Sequence, residues 1–181
     1  MRVLIAAIAC LGIGCAGASS NVPAPDFRPS DVALFDNAVD LVEAPVIVEG
    51  DWTGAFERRV RRADLIAVVR INALGSDFVH RRSTYRLTVR VKNRLKGSSS
   101  KEIVLSVHDE ESGYTSVRVN EDRLLQDPFI AFVKWEAVPE SPRRVAHWHL
   151  SPDSDAVREK IDFSLRQPVK DVQTEVEVVE Q

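Results

Sequence analysis

The chain reads as mainly β with flanking helices: an antiparallel barrel or sandwich of five or six strands, one amphipathic helix before it and one after. Three observations predict this. Thr84 to Val91 alternates almost without a break, Tyr85, Leu87, Val89 and Val91 facing one way and Arg86, Thr88 and Arg90 the other, the pattern of a half-buried antiparallel strand. Leu65 to Ile71 is nearly continuous apolar sequence, the mark of a strand covered on both faces. Trp52, Phe56 and Val60, and later Val157, Ile161 and Leu165, recur every four residues, which gives a helix one apolar face.

Residues 31–49 fit neither period well; Asp36-Asn37 suits a turn, Pro45 ends what precedes it, and Val46-Ile47-Val48 suits a short strand. The first helix starts at Asp51, a residue type that accepts hydrogen bonds from free backbone amides. It ends in Arg58, Arg59, Arg61 and Arg62, where the helix dipole favours cations. The strands Leu65–Ile71 and Thr84–Val91 follow, then a turn at Leu95–Ser100. Glu102–Val107 is the third strand, Glu110–Gly113 a hairpin-type loop, and Tyr114–Val119 a strand pairing back. Phe129–Trp135 is a strand with Pro128 at its mouth, where proline is tolerated, and Arg144–Leu150 is the last strand. Ser151 as cap and Pro152 at the first position start the final helix. The acidic tail 168–181 alternates Val and Glu and frays or forms an edge strand.

The body, from Ala63-Asp64-Leu65-Ile66-Ala67-Val68-Val69 through Tyr85–Gly97 to Phe129-Ile130-Ala131-Phe132-Val133-Lys134-Trp135, resembles small closed barrels of the OB or netrin-module kind. The resemblance implies a fold over residues 63–150 and no activity. Netrin-module protease inhibitors use disulfides and a free N-terminal cysteine. The body here has no cysteine, so that activity does not carry over.

The leader says where the chain works. Arg2, the apolar run Val3–Ile13 and the small residues from Gly14 to Ser20 have the makeup of an export signal, too short to span a bilayer as a helix. Leu11-Gly12-Ile13-Gly14-Cys15 resembles a lipobox, the motif of bacterial lipoproteins, although Leu11 stands four residues before the cysteine where the family has three. That resemblance implies lipid attachment at Cys15, with 1–14 as signal peptide. Cleavage at Ala16-Gly17-Ala18, releasing a soluble periplasmic or secreted protein, is the alternative; a leader retained inside the fold is a third. Residues 15–30, with Pro23, Pro25 and Pro29, read as a lipidated tether at about 3 Å per residue, and 31–167 as one domain. Both cysteines, Cys10 and Cys15, lie in the leader, so the body folds without disulfides in an oxidising compartment.

Removing the leader takes the formal charge from −3 to −4, because the leader carries one cation, Arg2, and no acid. This balance gives no reason to expect nucleic acid. His147 and His149 flank Trp148 and fall on one strand face, a pair that can bind a metal if Asp109, Glu110 or Glu111 supplies oxygen; their other reading is a polar outer face. Ser106, His108 and Asp109 offer nucleophile, base and acid, but Ser106 and His108 stand side by side with no strained elbow between them. The polar stretch Asp109, Glu110, Glu111, Tyr114, Asn120, Glu121, Asp122 and Arg123 is the candidate binding loop. Trp135, Trp148 and Tyr114 suit either a platform or the core. The functional expectation is a non-enzymatic envelope protein, membrane-held through its lipid, facing the periplasm or exterior, contacting another envelope protein and needing no cofactor. The alternative is a metal-dependent envelope enzyme built on His147 and His149.

Overall fold

The computed structural model describes residues 26–41, 52–79 and 81–167. The leader with Cys10 and Cys15, the tether through Pro25, the strand expected at Val46–Val48, the Asp51 cap, the side chain of Trp52 and the tail 168–181 lie outside them. The described residues form a mainly β unit. A 3-10 turn at Pro29–Asp31 precedes β1 (Ala38–Val39), α1 (Trp52–Arg62), β2 (Leu65–Val79), β3 (Arg82–Lys96), β4 (Glu102–His108), α2 (Gly113–Arg118), α3 (Glu121–Gln126), β5 (Pro128–Ala137), β6 (Arg144–Pro152) and α4 (Asp155–Arg166).

The strands make one curled sheet, a half-barrel of order β1-β6-β5-β2-β3-β4. All neighbours are antiparallel except β1, which runs parallel to β6. Alternation sorts β2 onto two cores. Leu65, Ala67, Val69 and Ile71 face the concave side with Leu87, Val89, Leu105, Val107, Phe129, Ala131, Val133, Trp148 and Leu150. Ile66 and Val68 face the convex side with Ile130 and Phe132, under Phe56 and Val60 of α1 and Val157 and Ile161 of α4. The unbroken apolar run of β2 therefore means what it predicted: two covered faces. Phe56 meets Phe132 edge-on, with ring centroids 5.7 Å apart. At the C-terminal end of α1, the Lys96 Nζ donates to the carbonyls of Val60 (3.0 Å) and Arg61 (2.7 Å), satisfying acceptors that the helix leaves free.

Curling brings β6 within reach of β4, and the Trp148 indole Nε1 donates to the Ser106 carbonyl at 2.9 Å. The indole is fully buried. α2 and α3 close the concave side with Val117 and Leu124, both fully buried.

Four expectations change. Tyr114–Val119 is not a strand: Gly113–Arg118 and Glu121–Gln126 are short helices, because the concave core accepts Val117 and Leu124 from helices laid across it. β2 continues to Val79, well past Ile71, as one arm of a hairpin in register with β3 down to Val79 opposite Arg82. Ser151 and Pro152 belong to β6, paired with Ile130 and Phe129, and the cap of α4 is Ser154, whose side chain accepts from the Val157 amide. The buried face of α4 is Val157, Ile161 and Ser164, whereas Leu165 is exposed.

Trp148→Phe keeps most of the buried ring but strands the Ser106 carbonyl, so it should lower the unfolding free energy by about 1–2 kcal/mol. Trp148→Ala should lower it by about 3–5 kcal/mol. Urea unfolding checks both, and a Phe variant as stable as the parent would show that the indole bond contributes nothing.

Candidate functional site

Strand alternation puts Trp148 and Leu150 into the concave core and leaves His147 and His149 on the opposite face, together, as the sequence predicts. What meets them there comes from the N-terminal segment Asp26–Leu41. β1 pairs Ala38 with His149 and Val39 with Leu150. Asp40, two residues past Ala38, comes by the strand period to the side where His149 lies, and Asp36 reaches the same side from the turn through Asn37 that precedes β1. The His149 Nδ1 is 2.9 Å from Asp36 Oδ1, and Nε2 is 2.8 Å from Asp40 Oδ2. The imidazole is 4% exposed. Arg59 of α1 adds a second cation; its Nε donates to the Leu34 carbonyl at 2.6 Å.

Burial pulls the His149 pKa down, but the hydrogen bonds to Asp36 and Asp40 outweigh it and raise it above the ordinary 6.5, against repulsion from Arg59. Burial raises Asp36, yet the hydrogen bond and charge of His149, with Arg59, bring it below the ordinary 3.8. Burial also lowers Arg59, partly offset by the charges of Asp36 and Asp40. The chemistry agrees. A neutral imidazole has one N–H and one lone pair, so only an imidazolium donates to two carboxylates at once. Two cations and two anions then make a neutral cluster.

His147 is held differently. Its ring stacks on Phe27 at 4.1 Å, tilted by 18°, and its Nε2 lies 2.7 Å from Glu136 Oε2. Phe27 thus lies against β6, and Arg62 clamps the same stretch through the Asp26 carbonyl (2.8 Å) and the Asp31 carboxylate (2.6 Å). Residues 26–30, read from composition as tether, are therefore fastened to the body.

The other candidates are dispersed. The carboxylates beside the histidines are Asp36, Asp40 and Glu136, not Asp109, Glu110 or Glu111. Asp109 accepts from the Ser83 amide (2.9 Å), Glu110 pairs with Arg82 (3.3 Å), and Glu111 accepts from Asn37 Nδ2 (2.8 Å) and the His108 amide (2.6 Å). Among the described residues no three His, Cys, Asp or Glu side chains form a group able to hold a metal ion. His108 turns its Nδ1 to Thr84 Oγ1 at 2.8 Å, away from service to Ser106. Trp148 is core, and Trp135 and Tyr114 pack partly buried against it.

In the predicted loop, the Tyr114 ring lies 5.2 Å from that of Tyr85, and Asn120 donates to the Ser116 carbonyl at 2.9 Å. Tyr85 donates its hydroxyl to Glu121 at 2.5 Å, a bond that pushes the phenol up to about 12. Arg123 donates to the Leu41 carbonyl at 2.6 Å. Asn120, Glu121, Asp122 and Arg123 line a polar hollow of about 480 Å³ with Arg118 and Val119. A second, more apolar groove of about 500 Å³ runs between α1 and α4, lined by Phe56, Ala156 and Phe163 among others.

No family model matches the chain, and no curated protein or solved structure matches it significantly.

The His149 pKa is raised by folding, so its contribution is fully present below pH 6.5 and is lost as pH rises through the folded value. That of Asp36 is present above pH 3.8 and lost as pH falls through its lower folded value. Unfolding free energy should therefore fall on the alkaline side of 6.5 in the parent, and His149→Gln should lack that limb. Parent and variant profiles of the same shape above neutrality would contradict the imidazolium.

Proposed function

We propose that the chain is a bacterial envelope lipoprotein, held by lipid on Cys15, whose half-barrel binds another envelope component through the polar face between Asp109 and Arg123. The observation that carries the reading is the leader: Arg2, the apolar Val3–Ile13 and Gly14-Cys15, with both cysteines of the chain confined to it. Two structural facts support it. From Asp26 onward the chain is fastened to the body by Arg62 and His147, which leaves residues 16–25 as the spacer between lipid and fold. The hollow at Arg118–Arg123 is polar and lies on the side chains expected to bind. The two histidines favour binding or structure over metal chemistry, since three of their ring nitrogens lie at hydrogen-bonding distance from carboxylates.

Intact mass of protein extracted from membranes should show a chain beginning at Cys15 and carrying acyl groups, and Cys15→Ser should move the protein out of the membrane fraction. A mature chain that is unacylated and begins at Ser19 would overturn the reading. Separately, Glu110→Ser with Asp122→Ser, both exposed, should leave the melting temperature unchanged and abolish co-purification of the envelope partner. Retention of that partner would remove the binding face.

A further inference from the structure

β4 is the last strand of the sheet, and its outer side has no strand partner among the described residues. Two hydrogen bonds that frame its pairing with β3 fix which of its backbone groups face that side. The Val91 amide donates to the Lys101 carbonyl, and the Asp109 amide to the Ser83 carbonyl. In the register between them, Ile103, Leu105 and Val107 bond to β3, while Glu102, Val104, Ser106 and His108 turn their amides and carbonyls outward. Part of that row is closed from within. The Glu102 carbonyl accepts from Ser100 Oγ, and the Ser106 carbonyl from the Trp148 indole at 2.9 Å. The His108 amide and carbonyl are both taken by Glu111, at 2.6 and 2.9 Å. The rest is open: the Glu102 amide, the Val104 amide and carbonyl, and the Ser106 amide have no hydrogen-bond partner among the described residues. The Val104 side chain beside them is 52% exposed. An unpaired strand edge is a template for another strand.

We propose that the chain's own tail pairs with this edge, residues 175–179 running antiparallel to β4 with Glu177 opposite Val104. Val172, Thr174, Val176 and Val178 alternate with Gln173, Glu175 and Glu177, a period of two built on β-branched residues. In this register Thr174, Val176 and Val178 come to the concave side, beside the buried Val107, Leu105 and Ile103. Gln173, Glu175 and Glu177 share the convex side with His108, Ser106 and Val104. Val179 then stands opposite Glu102, so no two acids are directly opposite. The backbone groups match too. The Glu102, Val104 and Ser106 amides donate to the carbonyls of Val179, Glu177 and Glu175, and the Glu177 amide donates to Val104. The pairing ends at Ser106, whose carbonyl the Trp148 indole already holds. Two copies of β4 paired about Val104 fit worse: the Glu102 and Ser106 amides would meet carbonyls that Trp148 and Ser100 occupy. Four backbone bonds do little for a free peptide, which loses its translational freedom on binding. A segment on a short tether is held at about millimolar effective concentration. The tether is long enough. α4 ends at Arg166 on the face that covers β2 and β5, and β4 lies two strands, about 10 Å, beyond β2. The eight residues 167–174 reach at most about 28 Å.

The test is amide hydrogen exchange, read residue by residue by NMR, on the full chain, on Glu177→Pro and on the chain ended after Gln167. Glu177→Pro removes the amide that serves the Val104 carbonyl and touches no residue of the described fold. Ile103 and Leu105, bonded to β3, are the internal references and should stay protected in all three. The Val104 and Ser106 amides should exchange about tenfold or more slowly in the parent than in either variant. Register is read from disulfide formation in the full chain carrying Cys10→Ser and Cys15→Ser. Val104→Cys with Glu177→Cys should close, because residues of a hydrogen-bonded antiparallel pair stand about 5.5 Å apart, within the span of a disulfide. Val104→Cys with Val176→Cys should stay open. Equal exchange at Val104 and Ser106 in the parent and the shortened chain overturns the proposal, and so does closure with Val176 in place of Glu177. Protection that survives shortening and grows with protein concentration overturns it as well, and assigns the edge to a second copy.

Discussion

Trp148 is the residue at which three parts of the fold meet. Its indole bonds the Ser106 carbonyl and so ties β6 to β4, strands that lie four places apart in the sheet order. Its backbone bonds Asn37 twice: the amide donates to Asn37 Oδ1 at 3.0 Å, and the carbonyl accepts from the Asn37 amide at 2.8 Å. Asn37 sits at a positive φ of 55°, a conformation that asparagine tolerates better than most residues. The side chain therefore supplies one of the bonds that a continued strand would have made. A sheet twists by itself, but contacts across the concave side must hold the curl that brings β6 to β4. Here a buried aromatic ring with a satisfied N–H does so, and Val117 and Leu124 fill the space that remains. With no cysteine in the body, packing and hydrogen bonds carry all of this.

The N-terminal segment then acts as a strap over the outside of β6 and the end of α1. It is attached by packing, with Leu34 and Phe35 buried in the convex core, by backbone pairing with β6, and by charge. Asp31 is 1% exposed and meets Arg62; His149 meets Asp36 and Asp40. Taking ions from water is expensive, and good geometry with full hydrogen bonding is what repays it. No buried side-chain polar atom among the described residues is left without a partner. Close backbone approach adds a steric condition: a Cβ on Gly113 would fall 1.8 Å from the Asn37 carbonyl oxygen, so α2 abuts the strap only because position 113 has no side chain. Apolar packing would hold the segment to any greasy surface. Paired ions hold it in one register.

The fold class, mainly β with flanking helices, was legible wherever one period governed a long stretch. β3, β4 and α1 follow their patterns because each has one face in a core, and β5 because both of its faces are covered. The failures have physical causes. Tyr114–Val119 alternates like a strand, but among the described residues no strand pairs on the outer side of β4. The concave core instead takes one apolar residue from each of two short helices. Ser151-Pro152 has the chemistry of a helix start, yet pairing with Ile130 and Phe129 satisfies more backbone groups, so Ser154 caps instead. β2 past Ile71 contains Asn72, Gly75 and Asp77, residues that favour turns; cross-strand pairing with β3 overrides that. The histidine pair was legible as a pair. Its partners were not, because Asp36 and Asp40 lie more than a hundred residues away in a stretch without periodicity. No local period marks them, because the left-handed Asn37 stands between Asp36 and β1.

The geometry also limits what His149 can do. A general base needs a lone pair directed at substrate, and a metal ligand needs the same. As placed, both ring nitrogens point at carboxylates and the ring is almost fully enclosed. Its protons are therefore spent on holding β1 to β6. Asp36 and Asp40 are about a third exposed or more, so water reaches the carboxylates but not the ring. Arg59 completes the neutrality, which explains why four ionised groups coexist on a face that also buries Phe132 and Ile66. Protonation of a carboxylate from outside or deprotonation of the imidazole from inside would leave the cluster charged and remove one of the strap's attachments, leaving the β1–β6 pairing, Arg62, the Phe27–His147 stack and the buried Leu34 and Phe35 to hold it.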